Sequence, residues 1–502
     1  MQATTTTPAT PATPATPATA AIPWHALPTE MKFSVVEHLD QSDIRAFAKV
    51  SNEAYALAVP ALWRVVELAN LESLFSYVAN VPPAYHRYIR KLTICTKPRG
   101  GAATTSSSPP PSPLPLADST ADALRTLLRG CTQVEHLALS LERAVHHSIV
   151  PLFQNFTRLS TLSIAHCGDE HQTPLSERLV VSIAASVPHL TDLTLDKITR
   201  SSLHAPELLG AHPFVPVVVG DSSIPPHPKL GAALSLPSLL TIPTLTRLRI
   251  RATHLGDKAW GSTPVSCSLQ FLDLGSCHHE SPDYNRRCTE RIVGSVGHAV
   301  DCFSLNTPLA PSSSSSSSSS LSSPSPLSSS PSSQPITASS TTTTPLPKLR
   351  TLHLTPLFPV DDVVDTLSTL AESPVEELSV RVHEDDVLEM CAELERFLAL
   401  RAERGESVFY KHLARLEVTP VKDIFDTGDD DGCCAGMGMG TKKCAKTGMG
   451  MGVRMPAEHA VAIRRLQDFC HDLVFGGSCN PEDIVIGKGM SCIRGDDDGT
   501  KA

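Results

Sequence analysis

The chain has 502 residues, 41% of them apolar, and a formal net charge of -10, which gives room for two or three domains and excludes an extreme compositional class. Its 42 basic and 52 acidic residues, with no dense basic tract, lack the charge pattern of nucleic-acid-binding proteins. No stretch approaches the roughly 18 consecutive apolar residues that cross a bilayer, and the first 22 residues lack a secretory signal pattern. We therefore expect an intracellular protein, cytoplasmic or nuclear, with neither nucleic acid nor membrane as a partner.

Four low-complexity tracts divide the chain. They are the Thr/Ala/Pro leader 1–22, the Ser/Pro-rich stretches 98–117 and 309–347, and the acidic and Gly/Met-rich segment 426–457. Such compositions bury too little apolar surface to offset the loss of chain entropy, so we predict disorder in the first three and flexibility in the fourth. The remaining domains are a helical segment at 23–68, a larger domain at 89–425 that contains the two insertions, and a short helix with a tail at 458–502.

Residues 23–68 begin with the pattern of an amphipathic helix. Met31, Val35 and Leu39 recur at four-residue spacing, which places them on one helix face. Pro28 suits the first turn, and Asp40 ends the helix and offers a cap for the next one.

A second helix follows in the same segment. Ile44, Phe47, Ala48 and Ser51 keep the i, i+3, i+4, i+7 spacing of a narrow helix face made of small and apolar groups. The bulky run 62–66 then suits the closure of a small core or the start of a strand.

Five short motifs in this segment have the order and approximate spacing found in the F-box family. They are Leu27-Pro28-x-Glu30, His38-Leu39-Asp40, Asp43-Ile44, Val50-Ser51 and Trp63-Arg64. The segment therefore resembles an F-box, in particular the fungal form. The resemblance implies that a Skp-family adaptor of a cullin-type ubiquitin ligase is a partner of the chain. It also implies a set of adaptor-binding residues, namely Leu27, Pro28, Met31, Ile44 and Val50.

From residue 89 onward a short apolar pattern recurs nine times. In each copy a central leucine is followed two residues later by another apolar residue, the alternation typical of a half-buried strand. The central residues are Leu92, Leu137, Leu162, Leu193, Leu248, Leu272, Leu352, Leu378 and Leu416. Two copies, 159–167 and 269–277, fit L-x-x-L-x-L-x-x-C, with Ile164 at the third leucine position of the first copy, so the region resembles the leucine-rich repeat. One strand cannot bury its apolar face alone, so we predict that the copies stack into a parallel sheet.

Helical segments lie between the predicted strands, at 121–131, 176–187, 360–373 and 385–405. The predicted fold class is α/β: a small amino-terminal helical F-box, then an irregular leucine-rich-repeat solenoid of parallel strands with helical return segments, interrupted by disordered insertions. The 80-residue step between Leu272 and Leu352 contains the second insertion, and the 55-residue step between Leu193 and Leu248 leaves room for a degenerate repeat.

The strands of such a solenoid should line its concave face, where open positions would meet a partner. The positions of this kind are His136, Ser163, Thr194, Arg249, Asp273 and His353. For any one of them, the simpler interpretation is an ordinary solvated strand face.

The sequence contains no recognisable catalytic, metal or cofactor motif. Cys433, Cys434 and Cys444 include no C-x-x-C pair, and Ala445 occupies the position where a phosphate-binding loop requires its second glycine. The 14 cysteines have no regular disulfide-scaffold spacing, so free thiols are expected. We expect a protein that is not an enzyme and that needs no cofactor.

The leading hypothesis is a substrate-recognition subunit of a cullin-type ubiquitin ligase, whose F-box binds the adaptor and whose repeat surface binds an unknown target protein. The alternative is a repeat scaffold without a ligase connection, in which the amino-terminal helices only cap the solenoid. A third, weaker hypothesis is an enzyme with a spatially assembled site, for which the sequence names no nucleophile or base.

Overall fold

The computed structural model describes residues 24–99, 114–142, 146–212, 214–309, 346–421 and 457–474. The tract 1–22 and nearly all of 426–457 lie outside these residues, as do most of the two predicted insertions. The chain divides into two compact units, and the boundary lies between Val65 and Val66. In the described ranges no helix is both long and apolar enough to cross a membrane.

The first unit contains three helices, α1 (Thr29–Glu37), α2 (Gln41–Phe47) and α3 (Asn52–Leu62). The Asp40 side chain accepts a hydrogen bond of 2.9 Å from the backbone N–H of Asp43, which satisfies one of the free donors at the start of α2. Ser51 caps α3 in the same way, through Ala54. The predicted cap at Asp40 is therefore confirmed.

The second unit is a mixed α/β structure built on a large parallel sheet. Its strands are β1 (Val65–Leu68), β2 (Lys91–Cys95), β3 (His136–Leu141), β4 (Thr161–His166), β5 (Asp192–Asp196), β6 (Arg200–Ser201), β7 (Val217–Val218), β8 (Arg247–Arg251), β9 (Phe271–Leu274), β10 (Cys302–Leu305), β11 (Thr351–Leu354), β12 (Glu377–His383) and β13 (Arg415–Val421). Eleven strands follow chain order in one sheet, while β6 and β7 form a separate pair. All neighbours from β2 to β13 in the main sheet are parallel.

The nine predicted central leucines lie side by side across this sheet. From Leu92 on β2 to Leu416 on β13, each is the direct register partner of the next, except that Phe303 on β10 stands between Leu272 and Leu352. All members of the row are at most 2% exposed except Leu416 on the edge strand. A second apolar row, two residues further along each strand, is buried beside it. The predicted strand pattern and parallel pairing are confirmed.

Helices connect many of the strands. They are α4 (Leu71–Asn80), α5 (Leu114–Gly130), α6 (Glu177–Ser186), α7 (Leu208–Ala211), α8 (Pro282–Val296), α9 (Val363–Thr369), α10 (Val387–Arg404) and α11 (Ala457–Val474). The four predicted helices correspond to α5, α6, α9 and α10. The prediction of disorder over 98–117 is wrong for its last four residues, which begin α5. Pro115 is compatible with this first turn because the N–H groups there have no intrahelical partner.

The two long steps have different structures. The 80-residue step contains a tenth strand, β10, which precedes the Ser-rich stretch and was not predicted because Phe303 replaces the central leucine. At the ends of the predicted disordered tract, Leu309 and Leu346 are buried at 5% and 6% exposure, so the disorder prediction is wrong for these two residues, whose apolar side chains pack into the fold. The 55-residue step adds no strand to the main sheet.

The buried side chain of His86 makes the stability of the second unit sensitive to acid. It is 1% exposed, and neither ring nitrogen has a hydrogen-bond partner among the described residues. Burial lowers its pKa below the ordinary value of 6.5. The unfolded chain therefore takes up the proton first, and the free energy of unfolding falls as the pH drops below about 6.5, by at most about 1.4 kcal/mol per pH unit for this group.

We expect His86→Leu to reduce this pH dependence between pH 7 and 5, measured by denaturant unfolding at a series of pH values. The exposed His136 provides the control, and His136→Leu should retain the wild-type slope. Five other histidines have pKa values lowered by burial, so part of the slope should remain: His147, His204, His227, His254 and His353. An unchanged slope in His86→Leu would contradict the assignment.

Candidate protein-binding surfaces

The first unit has a small apolar core to which every helix contributes. The core residues are Val36, Ile44, Leu57 and Ala58. Trp24 and Phe47 pack against this core and contact each other edge to face, with ring centroids 5.6 Å apart. Lys32 is buried beside them because its Nζ lies 2.8 Å from Glu53 Oε1, and its ammonium group lies 5.9 Å from the centre of the Trp24 ring. This packing fixes the three helices relative to one another.

Large apolar side chains remain exposed on this small unit. Six of the fourteen exposed large apolar residues of the described chain lie between Trp24 and Val65: Met31, Phe33, Val35, Val50, Tyr55 and Val65. On α1 the buried positions are Lys32 and Val36, so Met31 and Val35, one helical turn apart on the neighbouring stripe, point away from the core at 53% and 45% exposure. Met31 and Val35 are therefore candidates for contact with a partner, because neighbouring exposed apolar side chains are common on surfaces that bind other proteins.

The five residues implied by the F-box resemblance have different environments. Pro28 is exposed at the start of α1, Leu27 is half-buried, and Met31 and Val50 are exposed. Ile44 is only 5% exposed and belongs to the core. In this structure Ile44 packs the helices against one another, because its helix face is the one that α2 buries, and its implied role in adaptor binding stays a prediction.

The open face of the sheet is the second surface, formed by the strand residues that alternate with the buried rows. All six predicted positions lie on it. Ser163, Thr194, Arg249 and Asp273 are successive register partners, His353 lies in the same row, and His136 lies one row away. Of the six, His136 is exposed, Ser163, Thr194, Arg249 and His353 are half-buried, and Asp273 is 3% exposed. The prediction that all six are exposed is therefore wrong, most clearly for Asp273. Its carboxylate is covered by Arg251, whose Nη2 lies 2.7 Å from Oδ2.

A cationic and aromatic group lies in the middle of this face. The guanidinium carbon Cζ of Arg247 is 4.5 Å from the centre of the Phe271 ring, and that of Arg249 is 5.2 Å from it. The Nε atom of Arg247 lies 3.2 Å from Asp192 Oδ2 on the neighbouring strand. Phe271 and Asp192 are the register partners of Arg247 on its two sides, so sheet pairing itself assembles the contact.

A buried charged cluster holds the long segment between β5 and β8 against α6. Arg200, which has no exposed side-chain surface, places Nε 2.9 Å from Glu177 and Nη2 2.9 Å from Asp257. Burial raises the pKa of Glu177, and the charge of Arg200 opposes that shift. Ser176 and Ser201 both donate hydrogen bonds to Asp221. These charged and polar side chains contact one another inside the fold. Their spacing along the sequence gave no indication that they would come together.

The described residues include His, Cys, Asp and Glu side chains, the types that bind metal ions in proteins. No group of three or more His, Cys, Asp or Glu side chains there is arranged to hold a metal ion. The eight cysteines whose side chains the structure describes are free thiols, as predicted for them. Cys433, Cys434 and Cys444 lie outside the described residues.

Comparison of the sequence with protein-family models and with curated proteins finds no match. The functional interpretation therefore depends on the residues and geometry of these two surfaces.

Proposed function

We propose that this protein is a substrate-recognition subunit of a cullin-type ubiquitin ligase. Its first unit binds a Skp-family adaptor, and the open face of its sheet binds a target protein. The observation that carries the proposal is the concentration of exposed apolar side chains on a three-helix unit whose sequence has the F-box motifs. An apolar surface that is solvated in the free protein becomes favourable when a partner removes it from water, at roughly 25 cal/mol per Å² before association costs.

The architecture proposed for the second unit is a leucine-rich-repeat solenoid. The support is the continuous row of central apolar residues from β2 to β13, which are leucines except for Phe303 on β10. Helices or loops return the chain between the parallel neighbours. Each strand buries its two apolar rows against those of the next strand, which is the physical basis of a stacked repeat. The proposed target-binding role follows from the opposite face, where polar side chains from many strands are displayed together.

The adaptor proposal predicts a loss of binding from two surface substitutions on α1. We expect Met31→Glu with Val35→Glu to reduce recovery of a Skp-family adaptor at least tenfold, because burying two charges in an apolar contact removes its driving force. The measurement is co-purification of adaptor with the intact chain. Since both side chains already face solvent, the unfolding midpoint of the first unit should hardly change.

Val461→Glu is the matched control, because Val461 is also an exposed apolar helix residue, at 66%, and lies on α11. It should leave adaptor recovery at the wild-type level. If the α1 double variant recovers as much adaptor as the wild type, the surface proposed here does not bind it.

The alternative function is a protein-binding scaffold without a ligase connection, in which the first unit caps the repeats. Deleting residues 1–64 separates the two functions and leaves β1 (Val65–Leu68) intact. A detachable adaptor module predicts a soluble second unit with cooperative unfolding, whereas a cap predicts aggregation through the newly exposed apolar end.

A further inference from the structure

The middle of the open face contains a preorganised pair of arginines. β8 is the sixth of the eleven strands in the sheet, and its alternating sequence places Arg247, Arg249 and Arg251 on the open face while Leu248 and Ile250 are buried. We call Arg247, Arg249 and Phe271 the Arg-Phe patch. Arginine and aromatic residues near the centre of an interface commonly supply most of its binding energy.

Three contacts hold the patch in place. Phe271 stacks with both guanidinium groups, at 4.5 Å and 5.2 Å, and Asp192 engages the Nε atom of Arg247. The Arg247 side chain nevertheless remains 45% exposed. The contact with Asp192 is made by Nε, so the terminal nitrogens of this partly exposed guanidinium group, which the ring of Phe271 holds in place, can meet a partner. Such a guanidinium can bind a carboxylate through two parallel hydrogen bonds without losing much side-chain entropy.

The carboxylates on the strands next to β8 contact the arginines at its two ends. Asp273 is the register partner of Arg249 but directs its carboxylate to Arg251, at 2.7 Å. Asp196, the register partner of Arg251 on the other side, also lies at that end of β8. The carboxylate that contacts Arg247 is therefore that of Asp192, while the carboxylate of Asp273 contacts Arg251.

The strands beyond Phe271 present uncharged groups. Cys302 and Ser304 on β10 and Thr351 and His353 on β11 follow Phe271 and Asp273 in register. Burial raises the pKa of Cys302 to about 12 and lowers that of His353, so both are neutral near pH 7. Glu377 on β12 is the first acidic residue reached in this direction. The patch is thus bordered by a neutral strip two strands wide.

We propose that the Arg-Phe patch binds a carboxylate side chain of an acidic, extended segment of the target protein. The segment's uncharged residues would lie over the neutral strip of β10 and β11. This inference rests on the proposed role of the open face as the target-binding surface, and it specifies the chemistry of the target.

The test uses the full chain and a displayed library of random dodecapeptides, followed by binding measurements with the selected peptides. We expect enrichment of Asp and Glu in the selected peptides. Arg247→Ala with Arg249→Ala should raise their Kd at least tenfold, the effect of losing a charge-assisted hydrogen bond. Arg415→Ala is the matched control, since Arg415 lies on the same face at the edge strand, between Glu377 and Glu417, and should change Kd less than twofold.

Two measurements on the wild-type protein keep the test decisive if the double variant folds poorly. Replacing Asp and Glu of a selected peptide by Asn and Gln should abolish its binding, and raising the salt concentration from about 0.05 to about 0.5 M should weaken it. Selected peptides without acidic enrichment, equal binding of the neutral peptide, or tight binding only with phosphoserine in place of the acidic residue would overturn the proposal. Adaptor recovery measured on the same preparations separates this inference from the proposed ligase role, because it depends on the first unit alone.

Discussion

Arg200→Ala is expected to lower the free energy of unfolding of the second unit by about 3–5 kcal/mol, measured by chemical denaturation. The substitution removes the positive charge between Glu177 and Asp257, which lie 2.9 Å from it and are 0% and 10% exposed. Two carboxylates would then remain in a region with little water, and the cost of that burial exceeds the modest value of the original ion pairs. Glu177 also accepts a hydrogen bond from the backbone of Ser201, so its disturbance should loosen the segment after β6.

The pH dependence of the Arg200→Ala variant provides an independent check. Without Arg200, burial and the charge of Asp257 both raise the pKa of Glu177 against the hydrogen bond from Ser201, so this pKa lies further above the value in an unfolded chain. The folded state then binds the proton more readily than the unfolded state, so the variant should regain stability relative to wild type as the pH falls from 7 to 5.

Arg350→Ala is the control for a surface ion pair. Arg350 Nη1 lies 2.8 Å from Glu376, but the two side chains are 66% and 48% exposed, so the loss should be less than about 1 kcal/mol. If Arg200→Ala and Arg350→Ala lower the free energy of unfolding equally, the buried ion pairs of Arg200 do not stabilise this region.

Phe303→Ala is expected to destabilise the second unit by about 3–5 kcal/mol, because it leaves a cavity in the row of central leucines. Phe303 is 1% exposed and lies between Leu272 and Leu352 in register. Phe303→Leu restores the residue type of the rest of the row and should cost less than about 1.5 kcal/mol. The measurement is the denaturant midpoint at constant m-value.

Thr351→Ala provides the matched control for Phe303→Ala, since Thr351 lies on the adjacent strand but faces the open side of the sheet. Its effect should stay within about 0.5 kcal/mol. If Phe303→Ala lowers the free energy of unfolding as little as Thr351→Ala does, β10 does not unfold cooperatively with the rest of the sheet.

The two units differ in how far their sequences reveal them. In the sheet, each strand has an apolar residue at every second position, and this pattern is recognised within the strand itself, whatever the length of the insertion that follows. Nine strands and their parallel pairing could therefore be predicted. The strand of Phe303 does not follow the leucine pattern of the other copies, although the fold requires only a large apolar side chain at this position. The segment containing β6 and β7 was not predictable because Arg200 and its partner Asp257 are 57 residues apart.

For the binding surfaces, the sequence alone determined which helices and strands exist. It therefore identified the apolar residues of α1 and the alternate strand positions as candidates for contact with a partner protein. Only the tertiary structure decided which candidates face solvent. Ile44 turns into the core and Met31 away from it because three helices close around Val36 and Ala58, a choice that helical periodicity leaves open. Likewise, Arg247 meets Phe271 only because β8 pairs with β9, and side chains 24 positions apart become neighbours through that register.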